Sequence, residues 1–236
     1  MTVTAFVPAR SGSKRLAGKN IKDLAGKPLV IWTLEAVMQS SKVDRVIFST
    51  DSIEYWDLAK NYFDNDKLSL DYRTDQEAGD KVKIFDYLVG AREKIFSEDD
   101  DIFLLALPTI PLRTTAQVDE AITLFATQKK PVFSATEYGF SINFAFHCEE
   151  EGNWKPVLSA SPLLTGNTRS QDQKTAYHPN GAIYVRKISD LKDKELKTLY
   201  QNAIPYFMDR NTSVDIDNEI DFIVAKALAE ASRAGK

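Results

Sequence analysis

Between Phe6 and Asn20 the chain reads FVPARSGSKRLAGKN, which sets Arg10, Lys14, Arg15 and Lys19 among Ser11, Gly12, Ser13 and Gly18. Small residues let backbone N–H groups come close to an anion, and several cations can neutralise one that is multiply charged. The chemistry on offer is the holding of a polyphosphate. The same run also reads as a solvated basic loop. It matches neither GxxxxGK[ST] nor GxGxxG. Near the other end, Val214-Asp215-Ile216-Asp217 places two carboxylates two residues apart, and an extended segment would turn both to one side. Neighbouring carboxylates repel unless a cation joins them, and Mg²⁺ with triphosphate oxygens is a natural partner. A competing reading makes Asp217 the N-cap of the last helix and Asp215 a surface charge. Taken together, the loop and the pair suit nucleotidyl transfer, in which catalysis is mainly positioning and charge stabilisation.

Other side chains exclude other chemistries. His147 and His178 are isolated and Cys148 is the only cysteine, so no zinc-site spacing and no intrachain disulfide is available. There is no EF-hand loop, no nucleophile elbow and no sign of a Ser–His–Asp arrangement. Asp51, after a predicted strand, is expected to cap the helix that follows.

The elements that must position these groups alternate. Val3 to Val7 reads as a buried strand, as do Arg45 to Ser49, Leu68 to Tyr72 and Ile102 to Leu107. Helices are expected over Pro28 to Met38, Ile53 to Tyr62, Lys83 to Ile95 and Thr115 to Thr127. Continuously apolar strands alternating with amphipathic helices predict a parallel sheet covered on both faces. Pro131 to Thr136 reads as a strand; from Phe140 to Ala176 the periodicity weakens, but the aromatic residues argue for an ordered, β-rich lobe. Gly181 to Val185 then reads as a strand, Ser189 to Tyr200 as helical, Ser213 to Ile216 as the last sheet edge, and Glu219 to Ala231 as the final helix.

At 236 residues the chain is long enough for one large α/β domain, residues 1–236, with a small insertion. A net charge of −4 argues against nucleic acid as a partner and makes the basic loop a local feature. No signal peptide, lipidation motif or membrane-spanning apolar run is found, so the expectation is cytoplasmic, with no membrane partner.

The order of residues adds more. Arg10-x-Gly12-Ser13-Lys14-x5-Asn20, followed by Gly26-Lys27-Pro28-Leu29, resembles the signature of the sugar-activating cytidylyltransferases. Within that group it is similar to the acylneuraminate (CMP-sialic acid synthetase) branch, because Asn20 follows Lys19 where the octulosonate branch typically has Pro. Ser49-Thr50-Asp51, Arg73, Pro108-Thr109-x-Pro111-Leu112-Arg113, Thr168-Arg169-Ser170-Gln171-Asp172, Pro179 to Tyr184 and Asp215-Ile216-Asp217 extend the resemblance along almost the whole chain.

The resemblance implies a Rossmann-like α/β fold of the nucleotide-diphospho-sugar transferase type, a doubly wound and mostly parallel sheet. It also implies CTP and Mg²⁺ as reactants. The protein would be a homodimer in which an inserted lobe, approximately residues 138–178, reaches towards the neighbour's site. Carried over by residue, Arg10, Ser13, Lys14 and Lys19 would bind the triphosphate, and Asn20 and Arg73 would recognise the cytidine. Asp215 and Asp217 would hold Mg²⁺; with Arg10 and Lys19 they form the implied catalytic set. Arg169 and Gln171 would lie near an acidic 2-keto sugar, whose carboxylate suits an arginine fork. Tyr177 belongs to that pocket or is a packed aromatic beside the strand.

Some positions depart from the family pattern. Leu107 stands where a sugar-contacting Gln is usual and Ile110 where a small Ser is usual, which makes that wall more apolar; Ala17 replaces a frequent Pro. Gly79-Asp80-Lys81-Val82-Lys83 replaces a Ser/Thr-rich segment, its lysines expected on a solvated helix face. Thr168 to Asp172 and Tyr177-His178 are closer to the pseudaminic acid branch, Pro179 to Tyr184 to the sialic acid branch. The acceptor is thus open, an octulosonate or a legionaminic acid included. A non-catalytic nucleotide-binding homologue is the alternative from another class.

Overall fold

A computed structural model describes residues 2–97 and 101–234. Strand β1 (Val3–Pro8) is followed by the loop with the basic residues and by a small antiparallel pair, β2 (Asp23–Leu24) and β3 (Lys27–Pro28). The order continues α1 (Leu29–Met38), β4 (Arg45–Thr50), α2 (Ile53–Tyr62), β5 (Leu68–Tyr72), α3 (Ile84–Gly90), α4 (Arg92–Ile95), β6 (Ile102–Leu105), α5 (Thr115–Gln128) and β7 (Val132–Glu137). The remainder comprises β8 (Phe146–Cys148), β9 (Trp154–Pro156), α6 (Pro162–Thr165), β10 (Tyr177–Lys187), β11 (Ile204–Phe207) and α7 (Glu219–Ala234).

Seven strands form one sheet in the order β11-β7-β10-β6-β1-β4-β5. β10 is antiparallel to both its neighbours and every other pairing is parallel. This is the doubly wound α/β fold that the alternation predicts. Side chains along β1 alternate between the layers. Val3, Ala5 and Val7 join the apolar layer of α1, α2 and α5, while Phe6 joins the layer of α3 and α4. Both faces of the central strands are therefore dry, and that is why these strands read as unbroken apolar runs.

Several expectations change. The helix expected over Lys83 to Ile95 breaks at Ala91, just after Gly90, where the backbone leaves helical geometry; glycine weakens a helix interior. Ser189 to Tyr200 is not a regular helix, since only a short 3₁₀ turn spans Ile188–Lys192. Ser213 to Ile216 is not a sheet edge; the edge beside β7 is β11. Residues 138–176 contain one small hairpin, β8 against β9, one turn of α-helix and three short 3₁₀ turns, with the rest irregular. β10 is longer than Gly181 to Val185 because Tyr177 to Pro179 already pair with β7 before an irregularity around Gly181. Gly181 has φ +77°, and a Cβ there would stand 3.2 Å from Ile110 Cδ1, so its lack of a side chain is used twice. Among the described residues, no helix is long and apolar enough to cross a membrane.

Candidate active site

The site is assembled where the strand order reverses. From β1 the sheet grows through β4 and β5 on one side and through β6 on the other. In open α/β sheets the crevice beyond the C-terminal ends of such strands receives ligands. Here it is a cleft of about 500 Å³, walled by Arg10, Ser13, Lys14, Arg15, Lys19 and Asn20 from the loop after β1, and by segments that follow β5 and β6. Arg73 and Tyr87 line one side, Leu107, Pro108 and Thr109 another, and Asp217 closes it from the C-terminal region.

A small apolar cluster brings the two charged stretches together. Leu16 of the loop and Ile216, which is fully buried, pack with Leu24, Leu29 and Phe222. Because Ile216 is pulled into this cluster, Asp215 and Asp217 on either side of it are left free of it. The Lys19 ammonium donates to the Ile216 carbonyl at 2.5 Å and lies 4.0 Å from Asp217 Oδ1. Arg15 Nη1 is 2.8 Å from the other Asp217 oxygen. Burial pulls the Lys19 ammonium below its ordinary value, and the charges of Asp217 and Asp215 oppose that shift. The Asp215 side chain has a solvent-facing surface, yet the walls around it desolvate it and hold its carboxyl above the usual range; a hydrogen bond with Thr109 works against this, and the Asp217 charge adds to it.

Asp217 does not cap α7. Asn218 does: its Oδ1 accepts from the N–H groups of Ile220 and Asp221 at 2.9 and 3.1 Å, and the Asp221 carboxylate accepts in return from Asn218 N–H. Asp51 is not a cap either. Ser52 caps α2, while Asp51 accepts from Ser11 N–H at 2.7 Å and from its hydroxyl at 2.9 Å, bracing the basic loop. Asn20 braces it from within, its amide donating to the Arg10 carbonyl at 2.9 Å.

Arg73 is rigidly mounted. Its backbone N–H bonds Thr50, its Nη2 donates to the Ser49 carbonyl, and its guanidinium lies 5.7 Å from the centre of the Tyr87 ring. Burial holds it below the ordinary arginine value. Behind it, Asp71 accepts from Ser49 Oγ at 2.7 Å and Tyr87 OH at 2.8 Å. On the opposite wall Arg113 is buried and bonds only neutral oxygens: Thr33 Oγ1 at 2.9 Å and the Leu107 carbonyl. Desolvation pushes it down to about 9. Arg113 thereby pins the segment carrying Thr109, whose carbonyl accepts from Ile216 N–H at 2.8 Å.

Not every expected residue is in the cleft. Leu107 lines it, but Ile110 is fully buried beneath, in the core. Lys81 and Lys83 point to solvent, and Val82 and Ile84 take the wall instead. Arg169 and Gln171 are exposed, Arg169 pairing at 3.9 Å with Asp172, and neither lines the cleft of its own chain. Tyr177, half exposed, packs on Phe207 with ring centres 4.5 Å apart. Asp51, Thr109 and Arg113 are supports, a role the linear sequence did not assign: it offered them as members of the Ser49-Thr50-Asp51 and Pro108 to Arg113 motifs and Asp51 as a cap.

Asp217 lines the cleft and faces the cationic loop, whereas Asp215, across fixed Ile216, does not line it but lies near enough to feel the Lys19 charge. Two carboxylates so placed fit a hard divalent ion sharing its coordination with phosphate oxygens. Among the described residues no group of three or more His, Cys, Asp or Glu is placed to hold a metal ion, so these residues offer no closed cage.

Known proteins resemble this chain in sequence and in fold. A family model described as "Cytidylyltransferase" matches residues 4–80. An N-acylneuraminate cytidylyltransferase of Escherichia coli is 31% identical over 99% of this chain, and this chain spans 54% of that protein's length. A CMP-N,N'-diacetyllegionaminic acid synthase of Legionella pneumophila is 30% identical over 99% of this chain and 98% of its own. The fold is shared with a solved CMP:2-keto-3-deoxy-manno-octonic acid synthetase complexed with CTP, at TM-score 0.71 and 15% identity, covering 98% of this chain and all of that one.

Proposed function

Because this chain belongs to the acylneuraminate cytidylyltransferase family, we propose that it transfers CMP from CTP to the anomeric hydroxyl of a sialic-acid-like 2-keto acid sugar, releasing pyrophosphate. The observation that carries the reading is one cleft lined by Arg10, Lys14, Arg15 and Lys19, of which Arg15 and Lys19 face Asp217 on the segment that also carries Asp215.

In this reading Arg10, Ser13, Lys14 and Lys19 hold the triphosphate and orient its α-phosphorus, while Asn20 and Arg73 take the cytidine. The sugar hydroxyl attacks that phosphorus; a new O–P bond forms as the bond to pyrophosphate breaks. Pyrophosphate leaves with the bonding electrons, and the hydroxyl proton passes to solvent. Lys19 and Arg10 offset the charge that collects on the departing oxygens, which is where a fixed cation in a partly desolvated site counts most. Asp215 and Asp217 would hold Mg²⁺, which when bound neutralises phosphate charge and helps fix the reacting groups.

The acceptor side is completed across a homodimer. Residues 138–178 form the lobe that reaches the neighbour's cleft, delivering Arg169, Gln171 and Tyr177 to the acidic sugar. Support for a partner comes from the large apolar side chains this lobe leaves in solvent, among them Phe140 at 67% and Leu164 at 63% exposure. The enzyme works in the cytoplasm, where CTP is available and a lone exposed cysteine such as Cys148 stays reduced.

The test is pyrophosphate release with CTP and Mg²⁺ against N-acetylneuraminic, legionaminic, pseudaminic and 3-deoxy-octulosonic acids, with ATP, GTP and UTP as controls. Turnover with CTP alone and one nonulosonate is expected. Turnover only with the octulosonic acid would overturn the acceptor class. Silence with every acid while CTP binds would overturn the catalytic reading.

A further inference from the structure

Asp80 stands apart from the residues assigned so far. It lies on the turn between β5 and α3 and is exposed, yet one carboxylate oxygen is 2.5 Å from Arg10 Nη1 and the other pairs with the Lys14 ammonium. Arg10 also donates to the carbonyl of Ala78 at 3.4 Å, two residues upstream. The bonds from Lys14 and Arg10 hold the Asp80 carboxyl below the usual carboxylate range, so at neutral pH it is a full anion. On the other flank of the loop, Arg15 and Lys19 face Asp217. Each pair of loop cations therefore already has a carboxylate.

The two carboxylates are mounted differently. Asp217 is fixed through buried Ile216, whereas Asp80 sits in a turn flanked by Gly79 and exposed Lys81, with no buried neighbour on either side. The turn itself is closed by bonds from Ala78 N–H to Thr74 and from Val82 N–H to Gly79. Ion pairs this exposed add little to stability and exchange readily. Asp80 also lines the same cleft as the cations it holds.

We infer that Asp80 is a built-in substitute for a phosphate. It occupies Arg10 and Lys14 when the cleft is free, and a polyphosphate displaces it by taking over both cations. The inference rests on the reading of the loop as the triphosphate site. An arriving anion must break two ion pairs and then sit beside the carboxylate it has displaced. Binding of nucleotide and of pyrophosphate is weakened together, and the product leaves faster than a fully cationic loop would allow. Asp80 is in this sense an affinity-setting residue, with no bond to make in the reaction.

The experiment is calorimetric titration of the whole protein with inorganic pyrophosphate, without nucleotide or Mg²⁺, at low and at physiological salt. Asp80→Asn and Asp80→Ala should each tighten binding about three- to tenfold, with the gain shrinking as salt rises. Asp75→Asn removes the same charge from an exposed position in the same segment and should stay within about twofold of the parent. Product inhibition by pyrophosphate should strengthen in step with the binding. Unchanged or weaker binding in both Asp80 variants, or an equal gain in Asp75→Asn, overturns the inference and leaves the proposed reaction untouched. A parent protein that binds no pyrophosphate overturns the inference together with the triphosphate reading on which it rests.

Discussion

The cleft beyond β1 and the lobe at residues 138–176 are built on opposite principles. In the cleft, charged residues alternate with anchors: Leu16 follows Arg15, Ile216 separates Asp215 from Asp217, and both anchors share one buried cluster. In the lobe the large apolar residues face outward, with Phe146 and Trp154 in edge contact at 5.6 Å and each about half exposed. The nucleotide side of the cleft is built on buried anchors within one chain, whereas the lobe leaves apolar groups in solvent, where the proposed dimer partner would cover them. Damage to the first should therefore stop chemistry without changing assembly, and damage to the second should weaken assembly, and with it the acceptor side, while CTP binding stays as it was.

The largest separation is expected from Asp215→Asn with Asp217→Asn. The double variant should bind CTP and release almost no pyrophosphate, with its sedimentation unchanged; retained turnover would remove the metal assignment. Arg10→Ala should follow, losing about two to three decades in rate if the guanidinium meets the phosphates. A loss under about threefold would return Arg10 to the role of a surface charge. Trp154→Ser with Phe146→Ser should weaken self-association by about tenfold or more in sedimentation equilibrium while CTP binding stays as it was. An unaltered mass distribution would show that the lobe is not the contact. The smallest effect belongs to Leu107→Gln, in the cleft wall. It should reorder the preferred acids by about tenfold, with CTP affinity intact, and an unchanged ranking would exclude Leu107 from the acceptor wall.

What could be read from the linear chain divides along the same boundary. Continuous apolar runs such as Ile102 to Leu105 and the periodicity of α1 and α5 are local signals, and the sheet they imply is the one found. The basic loop and the Asp215/Asp217 pair are local in composition too, so their types suffice to raise the phosphate and metal chemistry proposed for them. What could not be read is which of several polar residues at a strand end takes which task. Asp51 and Ser52 are adjacent and both suit an N-cap; the choice falls to Ser52 because Asp51 is within reach of Ser11, 40 residues away. Asp217 and Asn218 present the same ambiguity, resolved by the reciprocal bond with Asp221. Ile110 illustrates the limit from the apolar side. Its type suggests a wall, and only the fold shows that it fills the core, fully buried in the space left by the missing Cβ of Gly181.

The pairing of Arg15 with Asp217 bridges 202 residues of sequence. During synthesis, at about 5–20 residues per second, the basic loop leaves the ribosome some 10–40 s before the carboxylates that face it. Throughout that interval it is a cationic segment close to a polyanionic ribosome, with neither Asp217 nor the Ile216 anchor available. Assembly of the site must thus wait for the Val214 to Asp217 segment, and a nascent chain acquires this arrangement only once that segment has emerged. Arrested chains ending before Val214 should therefore leave the loop open to trypsin at Lys14 and Arg15, and those extended beyond α7 should protect it; equal cleavage in both would disprove this order of events.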